Sequence, residues 1–151
     1  AGESSSLTSF VRQRQGNGAF TWSGKTVIWP VKGPISSPFG PRIDPIFHVP
    51  SFHTGLDIAV DEGTPILAAA AGKVIYSGQV TGYGNVDILD HDGAFATLCA
   101  HMSVIGASMG QSVAQGQRIG AVGCTGLCTG PHLHFETRVG GAPVNPISFL
   151  P

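Results

Sequence analysis

The chain has 151 residues, the size of one ordinary domain and enough to bury a substantial core. Apolar residues make up 42% and charged residues only 11%, which excludes a solvated, disordered chain. The net charge of −1, with eight scattered Lys and Arg, excludes a basic nucleic-acid-binding surface. The longest wholly apolar run, residues 66–71, is far shorter than the ~18 residues of a membrane-spanning helix, so no transmembrane segment is predicted.

We interpret residues 1–28 as a linker or tail and residues 29–151 as the folded domain. Within the tail, Leu7, Phe10 and Val11 recur at helical spacing after three serines that can cap a short helix. A Gly-Asn-Gly run then ends the helix. The alternative is a disordered terminus. The chain begins without a methionine, so we expect an upstream segment.

The rest of the chain is predicted to be mostly β. The 22 glycines and 11 prolines suit many short strands joined by tight turns. The four alanines 68–71 are assigned to a strand because proline and glycine bracket them too closely for a helix. Runs bounded by Gly or Pro predict strands at Thr26–Pro30, Leu56–Val60, Pro65–Ser77, Asn85–Asp90, Ala94–Met102, Ser112–Val113, Arg118–Val122 and His132–Val139.

The segment HLHFE, residues 132–136, carries two histidines two positions apart. On a strand such residues share a face, with Cα atoms about 7 Å apart. His132 and His134 can therefore both bind one metal ion, or one can bind while the other does acid–base chemistry. Glu136 is the next residue on that face, either a third member of the site or a solvated strand end.

The segment FHTGLD, residues 52–57, holds a second pair of candidate ligands. His53 and Asp57 would lie about 13 Å apart on a regular strand, so the chain must turn near Gly55 if both bind one ion. Two imidazoles and one carboxylate form a common ligand set for catalytic zinc, with the fourth position left for water. Together with His134, this pair indicates a metal-dependent hydrolase.

The remaining histidines have no motif that assigns them a role. His101 follows an apolar strand, where a hydrogen-bonded structural histidine is the simplest interpretation. His48 and His91 flank turns and receive the same interpretation.

The three cysteines leave one unpaired in a monomer, so their number does not settle the compartment. Cys124 and Cys128 bracket three residues of a glycine-rich loop. They can form a disulfide, which needs an oxidising compartment, bind zinc with the nearby histidines, or remain buried thiols. Cys99 is interpreted as a core thiol, and the alternatives are a nucleophile or a third thiol ligand.

Five segments taken together resemble the lysostaphin/LytM-type zinc endopeptidases. The resemblance runs from about residue 29 to residue 146, in order and with few gaps. The segments are SPFGPR (37–42), FHTGLD (52–57), GYGN (82–85), AHMS (100–103) and CTGLCTGPHLHFE (124–136).

This resemblance implies an antiparallel β-sandwich-like core with an open groove. By position, His53, Asp57 and His134 match the family's ligands for Zn²⁺, and His101 and His132 match its catalytic histidines. The implied substrate is peptidoglycan, cleaved at stem peptides or cross-links by an enzyme that is secreted or held in the cell envelope. That location favours a disulfide between Cys124 and Cys128.

Other expectations from the resemblance are less direct. Arg42, Asn85 and Thr129 are candidate contacts to substrate or to the ligands, and the alternative for each is that it stabilises a turn. Members often carry an aromatic residue at the position of Cys99 and apolar residues near Asp87. Some relatives lack ligands and activate other wall hydrolases, so a wall-binding or regulatory domain is the alternative function. Upstream regulatory domains or cell-division and wall-remodelling proteins are candidate partners.

Overall fold

The computed structural model describes residues 2–16, 19–22 and 27–151 of the chain. It contains helix α1 (Gly2–Gln15) and a 3-10 turn (Pro146–Ser148). The strands are β1 (Ile35–Ser37), β2 (Gly40–Ile43), β3 (Pro50–His53), β4 (Leu56–Ile58), β5 (Pro65–Leu67), β6 (Gly72–Val80), β7 (Gly84–Asp90), β8 (Phe95–Met102), β9 (Val104–Ile105), β10 (Ser112–Val113), β11 (Arg118–Ala121), β12 (Leu133–Val139) and β13 (Ala142–Val144).

The strands form one large antiparallel sheet and two small ones. The large sheet has the order β1-β4-β12-β8-β7-β6-β10, and β13 also pairs with β12. A three-stranded sheet has the order β5-β11-β9, and β2 pairs with β3 as a separate hairpin. The predicted mostly antiparallel β fold is therefore confirmed. No helix in the described ranges is long and apolar enough to cross a membrane.

The two faces of strand β12 carry different kinds of side chain. Leu133 and Phe135 belong to the larger buried cluster, which joins residues of the large and the three-stranded sheets. His134, Glu136 and Arg138 alternate with them and point to the opposite face, as a pleated strand requires. The polar groups that form the site therefore project from one side of the central sheet.

Helix α1 packs against this second face of the large sheet. Leu7 and Val11 are buried in a cluster with Val86, Ile88 and Leu98 of strands β7 and β8. The predicted apolar spacing thus corresponds to a helix with a buried stripe. The division of the chain at residue 28 remains a prediction.

Two of the predicted strands differ from the structure. Pro65–Ser77 is not one strand, because the chain passes from the three-stranded sheet to the large sheet at residues 68–71. The small alanines allow that bend, and the amide of Ala68 donates to the carbonyl of Gln117 instead of a sheet partner. Residues 27–30 form no strand, and Thr26 lies outside the described residues.

Strands β1, β2, β3, β9 and β13 are absent from the prediction. Each is two to four residues long, and several contain proline, so no run of alternating side chains marks them.

Candidate active site

Three side chains from strands β3, β4 and β12 converge at one point. The Nε2 atom of His53 lies 3.2 Å from Nδ1 of His134 and 3.2 Å from Oδ1 of Asp57. The remaining pair, His134 Nδ1 and Asp57 Oδ1, is 3.0 Å apart. Strand pairing explains part of this geometry, since His134 and Asp57 are opposite one another in the register of β12 and β4.

The turn between β3 and β4 brings His53 to this pair. Strand β3 ends at His53 and β4 begins at Leu56, so the chain turns at residues 54–55 as the spacing requires. A Cβ atom on Gly55 would lie 2.6 Å from the carbonyl oxygen of Phe135 and 2.9 Å from the ring of His134. Only glycine fits this close approach to β12 without a shift of the backbone.

The hydrogen bonds of His53 and His134 show which ring nitrogens are free to bind a metal ion. Nδ1 of His53 donates to the carbonyl of Pro38 at 2.8 Å, and Nε2 of His134 donates to Glu136 at 2.8 Å. In neutral rings the facing nitrogens then carry lone pairs, directed at the Asp57 carboxylate. Three such acceptors need a cation or a proton between them, so the cluster fits a metal ion.

The spacing of the three atoms also suits that ion. Ligand atoms roughly 2.0–2.1 Å from a tetrahedral zinc lie about 3.3 Å from one another. The observed separations of 3.0–3.2 Å are close to that value.

The pKa values of the cluster show the same demand for positive charge. Burial would raise the pKa of Asp57, but hydrogen bonds with His134 and His53 outweigh it and hold the pKa far below its ordinary range. Burial would lower the pKa of His134, yet its bonds to Asp57 and Glu136 raise it to about 9. A proton on His134 then supplies positive charge between the carboxylates of Asp57 and Glu136.

A buried ion pair supports His134 from behind. Glu136 and Arg138 are fully buried, and the Nε and Nη2 atoms of Arg138 each lie 2.7 Å from Oε1 of Glu136. The other carboxylate oxygen accepts from His134 and from the hydroxyls of Thr54 (2.7 Å) and Tyr83 (2.9 Å). Glu136 therefore fixes the ring of His134, as carboxylates commonly do behind metal-binding histidines.

This network corrects one interpretation and adds residues that the sequence analysis missed. Glu136 is not a solvated strand end, because none of its surface is exposed. Arg138 continues the series of every second residue formed by His132, His134 and Glu136. That spacing in the sequence already indicated that Arg138 shares their strand face. Thr54 and Tyr83 have no comparable signal, since their hydroxyls meet Glu136 only in the fold.

His101 and His132 lie beside the cluster with their rings 4.9 Å apart. Nδ1 of His101 donates to the carbonyl of Thr125 at 2.6 Å, and Nδ1 of His132 donates to the carbonyl of Gly130 at 2.8 Å. In both neutral rings Nε2 then carries the lone pair, and that of His132 lies 3.6 Å from Oδ1 of Asp57. Both rings can accept a proton at Nε2.

A bulge in β8 sets the position of His101. Asn85 pairs with Met102 and Asp87 with Cys99, so two residues of β8 stand opposite one residue of β7. His101 is one of the two and has a φ of 58°, in the left-handed region that non-glycine residues rarely occupy. Burial lowers the pKa of this histidine to about 4, against the opposing hydrogen bond to Thr125, so the ring stays neutral near pH 7.

The cluster opens into a cleft of about 660 Å³. Arg42 and Thr129 line it, and Nη1 of Arg42 lies 2.8 Å from Oγ of Ser37 and 3.5 Å from Oδ2 of Asp57. Among the described residues, the lining does not include Asn85, whose side-chain amide donates to the carbonyl of Met102.

The other polar candidates lie in different environments. Cys124 and Cys128 form a disulfide at the rim of the cleft, and Cys99 is a free thiol in the core. His91 is buried and bonded at both nitrogens, to the carbonyl of Ala71 and the hydroxyl of Thr97.

An antiparallel β core whose cleft holds a His-Asp-His cluster and two further histidines is the arrangement that the resemblance to the lysostaphin/LytM-type peptidases implies. The chain belongs to peptidase family M23, whose sequence profile matches residues 51–146. The resemblance identified from the sequence is therefore confirmed.

Two curated relatives carry different descriptions. The DD-carboxypeptidase/endopeptidase Mpg of Neisseria meningitidis is 48% identical over 114 residues, which are 76% of this chain and 26% of Mpg. The murein hydrolase activator NlpD of Escherichia coli is 36% identical over 124 residues, 82% of this chain and 31% of NlpD. The chain thus spans about a quarter to a third of the length of these relatives.

Two solved structures share the fold. A zinc-containing peptidase from Vibrio cholerae has a TM-score of 0.75 at 35% identity, covering 81% of this chain and 39% of that one. The catalytic domain of lysostaphin from Staphylococcus simulans has a TM-score of 0.71 at 32% identity, covering 78% of this chain and 91% of that domain.

Proposed function

We propose that the chain is a zinc-dependent endopeptidase that hydrolyses peptide bonds in the stem peptides or cross-links of bacterial peptidoglycan. One observation carries the proposal: the ligand atoms of His53, Asp57 and His134 converge within 3.0–3.2 Å of one another. The description of Mpg as a carboxypeptidase and endopeptidase supports the reaction class. Peptidoglycan lies outside the cytoplasm, so we place the protein in the cell envelope or among secreted proteins.

The chemistry divides between the metal and two histidines. Zinc bound by His53, Asp57 and His134 would lower the pKa of a water molecule and polarise the scissile carbonyl. Because Nδ1 of His101 and of His132 each donates to a backbone carbonyl, Nε2 of either ring is left to take the proton from the attacking water. The protonated ring can then stabilise the developing oxyanion or deliver the proton to the leaving amine.

Three residues in or near the cleft wall are proposed to orient the site or contact substrate. We propose that Arg42 both orients the Asp57 carboxylate and contacts substrate, since its guanidinium approaches that carboxylate and also lines the cleft. Thr129 is exposed at the rim and would contact substrate. Asn85 would act indirectly, because its backbone amide donates to the hydroxyl of Thr125, the residue whose carbonyl holds His101.

Separate alanine substitutions at the two histidines test this proposal. His101→Ala and His132→Ala should each lower the rate of peptidoglycan hydrolysis by at least about 100-fold, because each removes a proton-transfer group. Zinc content should remain equal to that of the unmodified protein. His48→Asn is the matched control, since His48 is exposed and asparagine tolerates its positive φ. Full hydrolysis by either alanine variant would refute the catalytic assignment.

The alternative function is a wall-binding domain that activates other hydrolases. The relation to NlpD, described as a murein hydrolase activator, favours it. Purified protein that binds zinc but clears no cell walls of several chemical types would support this alternative. Upstream regulatory domains or wall-remodelling proteins of cell division would then be its partners.

A further inference from the structure

Both proposed catalytic histidines are held by carbonyls of one short loop. Thr125, whose carbonyl accepts from His101, lies inside the ring closed by Cys124 and Cys128. Gly130, whose carbonyl accepts from His132, follows that ring by two residues. We propose that the Cys124–Cys128 disulfide is a positioning element for the acid–base pair, an inference that rests on the proposed function.

The two ends of this loop are anchored differently. The first end is tied to the sheet by the hydroxyl of Thr125, which donates to the carbonyl of Met102 at 2.8 Å. The same hydroxyl accepts from the amide of Asn85 at 3.0 Å, and the amide of Leu127 donates to the carbonyl of Gly82 at 3.1 Å. These bonds hold Thr125 whether or not the disulfide is present.

The second end has weaker anchors, of which one is the amide of His132, donating to the carbonyl of Gly123 at 3.4 Å. Across the described chain, no backbone amide of residues 128–130 donates a hydrogen bond to another protein group. Sγ of Cys128 lies 3.0 Å from the Gly130 carbonyl and 3.6 Å from Nδ1 of His132. A disulfide sulfur carries no proton, so these are packing contacts. The covalent link to Cys124 therefore restrains the segment that carries the hydrogen-bond acceptor of His132.

The position of that acceptor decides whether His132 can act as a base. A neutral imidazole has one N–H and one lone pair, and the nitrogen that donates leaves the other to accept. If the Gly130 carbonyl moves away, Nδ1 of His132 loses its partner and the proton can shift to Nε2. A ring protonated at Nε2 cannot accept a proton there, so loss of the disulfide should impair His132 more than His101.

The test compares the zinc-loaded protein with its Cys124→Ser/Cys128→Ser double variant. We expect kcat for peptidoglycan fragments to fall about tenfold or more, with KM changed less than about twofold and zinc content unchanged. Nitrogen-15 NMR of the imidazoles should show a single Nδ1–H tautomer of His132 in the oxidised protein and a mixture in the variant. The tautomer of His101 should change less.

Reversible reduction of the unsubstituted protein provides a second route if the variant folds poorly. A water-soluble phosphine breaks the S–S bond, the two sulfurs take up two electrons and two protons, and the phosphine gains oxygen from water. The half-buried disulfide is open to such a reagent. Activity and tautomer should return after reoxidation, and the double variant should not respond to the phosphine.

Each outcome bears on a different claim. Unchanged kcat and an unchanged His132 tautomer without the disulfide would overturn the positioning role, as would a loss confined to KM or to zinc content. An oxidised protein that hydrolyses no peptidoglycan would overturn the proposed function instead. The NMR comparison, which needs no turnover, would still decide whether the disulfide sets the tautomer.

Discussion

Replacing Asp87 by asparagine should stabilise the protein in a pH-dependent way. Asp87 lies in strand β7 with 1% of its surface exposed, and neither carboxylate oxygen has a hydrogen-bond partner in the described ranges. Its strand neighbours are Ser77 and Cys99, and the Ser77 hydroxyl donates to the carbonyl of Ala107 instead. Burial raises the pKa of Asp87 from 3.8 to about 8.

The sign of the effect follows from proton binding. The folded protein keeps a proton on Asp87 up to about pH 8, whereas the unfolded chain releases it above pH 3.8. The free energy of unfolding therefore falls as pH rises between these values, by about 1.4 kcal/mol per pH unit. At pH 7 the penalty is on the order of 4 kcal/mol, and asparagine, which does not titrate, removes it.

Urea unfolding of both proteins at pH 5 and pH 7 measures this penalty. The stability advantage of Asp87→Asn should grow by about 3 kcal/mol between the two conditions. Zinc affinity also varies with pH, but it varies equally in both proteins and cancels in the comparison. Asp61→Asn, at an exposed carboxylate, should show no such growth. A stability difference that is the same at both pH values would refute the reasoning.

Three further predictions concern the site. Arg138→Met should lower the free energy of unfolding in urea by about 3–5 kcal/mol, because Glu136 loses the buried cation beside Oε1 and keeps only the hydrogen bonds to its other oxygen. Adding Glu136→Gln should restore part of that loss, and a loss below about 1 kcal/mol would contradict the reasoning. Zinc binding at pH 7 should release about one proton, because the raised pKa of His134 keeps that ring protonated until the metal binds. Calorimetry in buffers of different ionisation enthalpy measures the release, and no release would show that the ring is already neutral. Gly55→Ala should weaken zinc binding about tenfold, because the added Cβ forces the backbone away from β12. Gly130→Ala is the control, since a Cβ atom there meets open space and zinc affinity should not change. Equal zinc affinities of the two variants would refute the steric argument.

The parts of the fold that the sequence predicted are those with local signals. Strands β7, β8 and β12 carry apolar runs bounded by turns, and the observed strands agree within a residue or two. The hairpin of β2 and β3 has no such signal, because its residues are largely exposed. It nevertheless carries His53 to the site. Its position depends on strand pairing, which the pattern of single residues does not encode.

The site shows the same division between local and distant causes. Residue spacing identified His134 and its neighbour His132 as candidates for the site. It also predicted a turn between His53 and Asp57. It could not divide the roles of the two neighbouring histidines, because both share a strand face. The structure separates the two rings by distance: Nδ1 of His134 lies 3.0 Å from Oδ1 of Asp57, whereas Nε2 of His132 lies 3.6 Å from it.

The choice of acceptors also determines the charge of the site. Carbonyls hold the rings of His53, His101 and His132 without adding charge, whereas Glu136 places a second carboxylate behind the first. A divalent cation bound by Asp57 alone would keep one positive charge, and Glu136 by itself would cancel it. Arg138 restores that charge from a position that solvent does not reach. The buried ion pair thus lets a carboxylate orient His134 while a bound cation remains electrophilic enough to polarise a peptide carbonyl.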